Sequence, residues 1–318
     1  MPHRPYIAIF IIGLAALYAL AIFNWIVNPF YFFPHQPLGI YLSSDRLAKP
    51  RLVARGSFDS ILLGSSITAN IQVAGLPAAR FFNASLPSGM PEEFLFFIER
   101  YGGNARLVVI GLDFFMMNER GFPFVHNPTS AFEPLEAPTG RHVLNIHANR
   151  TEKIGQYLFS YDVTVETIRA TINWWFGRPN RLSETGDLTE QTEQISAVVS
   201  KAEDFIRGLE TLRDYHFAGF EYSTERVESL RHIHALLKRR GVKAIVFINP
   251  LHEDTFHLIH DMGLAAFLDR FRADVRGIFP HAADLSQSHW SDRRNFRTGD
   301  PLHYTSAVGK ALIESLLF

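Results

Sequence analysis

Four short apolar runs, each closed by glycine or asparagine, restrict the fold of this chain more than any other feature. They fall at Ser60–Leu63 before Gly64, at 80–82 before Asn83, at 107–110 before Gly111 and at 244–248 before Asn249. Strands covered on both faces are apolar along their length rather than alternating, so these runs read as buried parallel strands. Between them, Pro91–Tyr101 spaces Phe94, Leu95, Phe97 and Ile98 as one helix face, and 225–240 runs from a capping Ser223 to Gly241, a natural stop. Strand followed by helix predicts an α/β domain with three layers, a doubly wound parallel sheet between helices. Ligands in such sheets sit beyond the C-terminal ends of the strands, where the polar residues closing these runs fall.

A second feature sets location. Residues 6–23 carry no charge and the apolar run continues to Val27. A helix rising about 1.5 Å per residue needs roughly 20 residues to cross a hydrocarbon core about 30 Å thick. The run predicts a transmembrane anchor at 1–27, with Trp25, Tyr31, Phe32 and Phe33 placed for an aromatic belt. Arg4 precedes it and the next Lys or Arg is Arg46, which orients the N-terminus towards the cytoplasm. A cleaved signal peptide is the competing reading, because Ala19-Leu20-Ala21 resembles a cleavage site, but the run outlasts an ordinary h-region of about 7–15 residues. The expected location is the inner (cytoplasmic) membrane, single-pass, with the folded domain facing the periplasm or exterior.

Residues 28–55, which open with the proline-rich NPFYFFPHQPLG, read as an extended connector, and 56–318 as the folded domain with an insertion at about 119–220 over its active face. Within the insertion, 161–176 and 189–212 are helix candidates; Trp174 and Trp175, at helical spacing with Ile168 and Ile172, read as core, with contact to substrate or membrane as the alternative. The 31 basic and 32 acidic residues are scattered, which argues against a nucleic-acid partner. The absence of cysteine excludes disulfides, thiolate catalysis and thiolate-bound zinc. The 14 histidines show no ligand spacing; His232 and His234 point apart on a helix, and His126, His142 and His147 have no partners, so neither metal nor cofactor is expected.

Two segments carry chemistry. SILLGSSI, residues 60–67, is an apolar strand, a glycine and two serines where a helix can begin, a turn that holds a nucleophile at the sheet edge. Asp300-Pro301-Leu302-His303, before an apolar helix at 307–317, supplies an acid–base pair close along the chain. Serine needs a histidine to take its proton and a carboxylate to hold the imidazole in the right tautomer. Read separately, a helix cap at Ser65-Ser66 and a capped helix entrance at Asp300 are the alternatives. His252, after the fourth run, reads as a turn histidine, and Asp284, after an apolar pair in a fifth strand, as a turn or cap.

Taken together and in this order, the two segments resemble the SGNH hydrolases. The resemblance covers most of 56–118 and 242–318 and implies a flavodoxin-like sheet with Ser66 as nucleophile, His303 as general base and Asp300 as its partner. It aligns Asn83-Ala84-Ser85-Leu86-Pro87-Ser88-Gly89 with the block that supplies a backbone oxyanion donor, from Ser88 or Gly89, beside the N–H of Ser66. The third block departs: Gly111-Leu112-Asp113 stands where the family has a side-chain amide. Either Asp113 is protonated or turned away, or Asn118 substitutes for it. An N-terminal membrane helix and these departures look like the subgroup that O-acylates cell-envelope polysaccharides, similar to the teichoic-acid D-alanylation and exopolysaccharide O-acetylation proteins. That implies a membrane-bound O-acyltransferase partner, a polysaccharide acceptor and a lipid bilayer around the anchor. An esterase or lipase with the same triad, and a non-catalytic glycan-binding scaffold, are the alternatives.

Overall fold

In a computed structural model of the chain, described over residues 4–42, 45–77, 80–120, 150–178, 180–188 and 202–318, the apolar runs form a five-stranded, wholly parallel sheet. In chain order the elements are α1 (Arg4–Val27), α2 (Asp45–Arg55), β1 (Ser60–Leu63), α3 (Ser66–Ala69), β2 (Phe81–Asn83), α4 (Pro91–Tyr101), β3 (Leu107–Leu112), α5 (Arg150–Phe159), α6 (Tyr161–Trp175), α7 (Ala202–Thr211), α8 (Thr224–Arg239), β4 (Lys243–Ile248), α9 (Glu253–Asp261), α10 (Ala265–Ile278), β5 (Ala283–Asp284) and α11 (Ser306–Leu317). They divide into two compact units, one drawn from Met1–Arg51 and Phe132–Leu182, the other from Leu52–Ala131 and Ser183–Phe318. The first part of the 189–212 helix candidate, and His126, His142 and His147, lie outside the described residues.

In the larger unit the strand order is β2-β1-β3-β4-β5, so the chain leaves β1 to one side and returns to build the rest on the other. The ends of β1 and β3 lie side by side, Leu63 opposite Ile110, at the point where the order reverses. Parallel crossovers are right-handed as a rule, which with this strand order assigns α3 to one face and α4, α8 and α10 to the other; α8 packs against both α4 and α10. The Ser306 hydroxyl, at the start of α11, donates to the carbonyl of Asn70 at the end of α3, 2.9 Å away, which ties α11 to the α3 side. Strands β1 and β3 are buried nearly throughout, as runs without alternation require. The second strand begins one residue later than its apolar run, so that Asn83 is part of it.

The smaller unit corrects two expectations. Residues 28–42 are no extended connector: Phe30, Tyr31 and Ile40 are buried, and Val27, Phe30, Ile40, Leu42 and Leu47 share a core with Tyr157, Val163 and Ala170 of α5 and α6. Asn28 and Tyr31 take left-handed φ values of 43° and 56°, and the Asn28 amide donates to the carbonyls of Phe33 and His35, folding the proline-rich stretch on itself. Asn24, near the end of α1, donates to the Leu158 carbonyl and the Thr164 hydroxyl, each at 2.9 Å. Trp174 and Trp175 are not core. Both are exposed, with Ile168 and Ile172, because α6 buries the opposite side, Val163, Thr167 and Ala170.

Residues Tyr6–Val27 of α1 are long and apolar enough to cross a membrane. Only 6% of the most apolar stretch is buried, which a core helix would not show.

Candidate active site

At the end of β1 the chain turns so tightly that a side chain on Gly64 would meet Thr68 Oγ1 at 2.1 Å and the Gly111 carbonyl at 2.9 Å. The two serines that follow divide the work. Ser65 is the N-cap of α3, its hydroxyl accepting from the N–H of Ile67 at 3.1 Å. A helix of four residues has little stability of its own. The Asn83 side-chain amide donates to the carbonyls of Thr68, Ala69 and Ile71 and holds the helix end on β2. Ser66, first residue of α3, is thereby placed with its hydroxyl free to reach His303, whose Nε2 lies 2.9 Å from Ser66 Oγ.

The histidine is set by its own turn. Asp300 Oδ1 accepts from the N–H groups of Leu302 and His303, at 2.9 and 3.0 Å, and Oδ2 lies 2.8 Å from His303 Nδ1. The spacing of two residues between them is what lets one carboxylate close the turn and orient the ring. The Arg297 N–H donates to the His303 carbonyl, and Thr255 Oγ1 donates to that of Pro301 at 2.7 Å, which fastens the turn to α9. Burial raises the pKa of Asp300, but the hydrogen bond and charge of His303 and the two N–H donors outweigh it and hold the carboxyl below its ordinary value. An ionised Asp300 can only accept, so Nδ1 carries the proton and Nε2 is left to accept from Ser66.

Asp113, after β3, is buried rather than turned to solvent. Its Oδ1 accepts from the Asn249 amide at 2.9 Å, and Asn249 Oδ1 accepts from the Tyr304 hydroxyl at 3.0 Å, while Asp113 Oδ2 has no hydrogen-bond partner among the described residues. Burial pushes the carboxyl up from 3.8 to about 7, against the opposing pull of the Ser65 hydroxyl, the Asn249 amide and the charge of His303. The Ser65 hydroxyl approaches this carboxyl without completing a hydrogen bond to Oδ2. Tyr304→Phe would leave Asn249 Oδ1 buried without its donor. We expect a loss of about 1–3 kcal/mol of stability, read from denaturation in detergent; a loss under about 0.3 kcal/mol would show that this line of side chains does not hold the site.

The remaining candidates separate cleanly. Leu86-Pro87-Ser88-Gly89 forms a turn closed by the Gly89 N–H on the Leu86 carbonyl at 2.8 Å, with Ser88 at a φ of 52°. The Gly89 N–H is therefore engaged, whereas that of Ser88 has no partner among the described residues. Gly89 itself is required by close packing, since a Cβ there would come 2.7 Å from the Gly64 carbonyl. Asn118 is not placed as a substitute donor: its amide donates to the His216 carbonyl at 2.8 Å and its Oδ1 accepts from the N–H groups of Arg120 and Glu221.

His252 caps α9, its Nδ1 accepting from the Asp254 N–H at 3.1 Å, and Asp284 Oδ1 accepts from the Ser286 N–H, so both serve turns. His252 also lines a small cleft, partly open to solvent, with Ile67, Asp113, Phe115, Phe217 and Leu302.

Sequence reasoning gave no role in the site to Asn249, Tyr304 or His216. His216 ends a π-helical turn after α7, packs its ring edge-on against Phe115, and is driven down to about 4 by burial and by the charge of His303. It is therefore uncharged at neutral pH. Among the described residues no group of three or more His, Cys, Asp or Glu side chains could hold a metal. No protein-family model matches the chain and no curated protein matches it.

Proposed function

We propose that the chain is a serine acyl-transfer enzyme of the SGNH hydrolase type, with Ser66, His303 and Asp300 as its triad. One observation carries this reading: Asp300, His303 and Ser66 form a continuous hydrogen-bonded line, although 237 residues separate the serine from the histidine. Three surface residues meeting by accident would not also each be oriented by their own local turn.

In the proposed reaction Ser66 Oγ attacks an acyl carbonyl as its proton passes to His303 Nε2, while Asp300 stabilises the imidazolium through Nδ1–H. The negative charge that develops on the carbonyl oxygen is met by the N–H groups of Ser66 and Ser88 and by Asp113 in its neutral form, donating from Oδ2. The neutral carboxyl supplies the donor that a side-chain amide supplies elsewhere in the family. Collapse of the intermediate expels the leaving alcohol or thiol with the proton from His303, leaving an acyl ester on Ser66. A second hydroxyl, activated by the same histidine, then takes the acyl group.

That hydroxyl is proposed to belong to a cell-envelope or exopolysaccharide, and the acyl group to be acetyl or similarly small, passed outward by a membrane-bound O-acyltransferase. This rests on the resemblance together with a helix long and apolar enough to span a membrane; that the membrane is the inner one and the triad lies on its outer side is part of the proposal. The full-length chain in detergent, given a chromogenic acetyl ester with and without an oligosaccharide, tests the assignment. Acetylated sugar formed at the expense of free acetate is the expected result. Acetate release unaltered by any acceptor would overturn transfer in favour of hydrolysis. The whole chain is needed because residues 24–42 pack on α5 and α6.

A further inference from the structure

Helix α6 exposes the wrong face for a helix in water. Tyr161, Val165, Ile168, Ile172, Trp175 and Phe176 recur at helical spacing along one side, and all but the half-buried Val165 are exposed, Tyr161, Trp175 and Phe176 by 70–80%. The side turned to the unit's core is the less apolar one, with Thr164, Glu166 and Thr167 beside Val163 and Ala170. A solvent-facing helix shows the reverse distribution, and a contiguous apolar stripe of this length marks a surface that something covers.

We infer that this stripe lies in the interfacial layer of the bilayer, as a second membrane contact beside α1. Its position argues for lipid. Asn24 of α1 bonds to Thr164 in the first turn of α6 and to the carbonyl of Leu158 just before it, so the stripe starts beside the end of the apolar span. The exposed apolar side chains of α1, including Ile22, Trp25 and Ile26, and those of α6 thus belong to the same compact unit, joined where the two helices meet. Tryptophan and tyrosine favour the headgroup level, where an apolar ring body and a polar tip are both accommodated. Arg178, exposed just beyond the stripe, is placed to meet lipid phosphates. A helix lying there holds the unit against the membrane surface, a constraint that a single spanning helix, free to rotate about its axis, does not provide.

The test uses the full-length chain in vesicles of phosphatidylglycerol and phosphatidylcholine, with or without bromine near the headgroup end of the phosphatidylcholine chains. The chain has four tryptophans, and three variants each keep one, Trp25, Trp175 or Trp290, with the others exchanged for phenylalanine. Bromolipid is expected to quench Trp175 about as strongly as Trp25 and to leave Trp290 unchanged. Trp175 quenched by aqueous iodide instead would place the stripe in water; Trp175 protected from both would mean that protein covers it, a second copy or another segment of this chain. Either result overturns the inference, and so does an unquenched Trp25, because the anchor itself would then be lost. If a triple exchange misfolds, Trp175→Phe alone in the otherwise intact chain gives the same comparison by difference.

Discussion

Ser66→Ala in the full-length chain is expected to lower kcat for a chromogenic acetyl ester by on the order of 10⁴- to 10⁶-fold, with stability changed by less than about 0.5 kcal/mol. Among the described residues the half-buried Ser66 hydroxyl makes one side-chain hydrogen bond, to His303, while the cap of α3 belongs to Ser65, so little structure depends on it. His303→Ala should fall in the same range. The double variant should be no worse than either, because the two groups act as one unit and removing one already removes the proton transfer. Additive losses would mean that serine and histidine contribute separately. A Ser66→Ala enzyme keeping a tenth or more of its activity would remove the nucleophile from the scheme.

The second large effect concerns Asp113. Its pKa in the folded chain is raised from 3.8 to about 7, so it is mostly neutral below pH 7 and ionised above. If the neutral form donates to the oxyanion, kcat falls as pH rises through about 7. Asp113→Asn keeps a donor at every pH and should match the wild type in acid and exceed it at pH 8 to 9. Asp113→Leu should lose roughly 10²- to 10³-fold throughout, the usual effect of removing one oxyanion donor. All other titrating groups are common to wild type and Asp113→Asn, so the difference between their profiles isolates this carboxyl. Profiles of identical shape would exclude it from the reaction.

The same shift has a consequence for stability whose sign is set by linkage. The folded state holds the Asp113 proton more tightly than the unfolded chain, so the stability this group contributes is fully present below about pH 4 and is lost as pH rises to about 7. Beyond that the loss is complete and constant. At pH 8 Asp113→Asn should therefore be the more stable protein by about 2–4 kcal/mol, provided its amide keeps the contact with Asn249.

Much of this architecture could be read from local pattern. Helix α4 occupies the residues its spacing predicts, and α8 begins after Ser223 and stops before Gly241, because caps and stops act within a few residues. Ser66, Asp300 and His303 were nominated by two short blocks and their order, and the structure brings them within hydrogen-bond distance. That the Gly89 N–H is engaged had a local signal too, since Pro87 before Ser88 suits a turn that uses the next N–H.

What escaped depended on contacts across the fold. Asn249 follows a different strand from Asp113 and Tyr304 lies 55 residues further on, so their shared hydrogen bonds become visible only when β3 and β4 are known to be neighbours. Asn118 looked available until its amide was seen to bind the carbonyl of His216, 98 residues away. In 28–42 the prolines outweighed Phe30, Tyr31 and Ile40, whose apolar character was the better guide. The error over Trp174 and Trp175 is of another kind. The helical period was right, but a periodic apolar face shows only that something covers it, and it does not separate protein core from contact with membrane or substrate.

The most direct test of the acyl-enzyme scheme is intact-mass analysis of the full-length chain after treatment with a serine-directed fluorophosphonate, followed by peptide mapping. A single adduct on the peptide containing Ser66, formed far more slowly in His303→Ala, is the predicted result; a folded chain that takes up no label, or takes it on another serine while Ser66 stays unmodified, would contradict it.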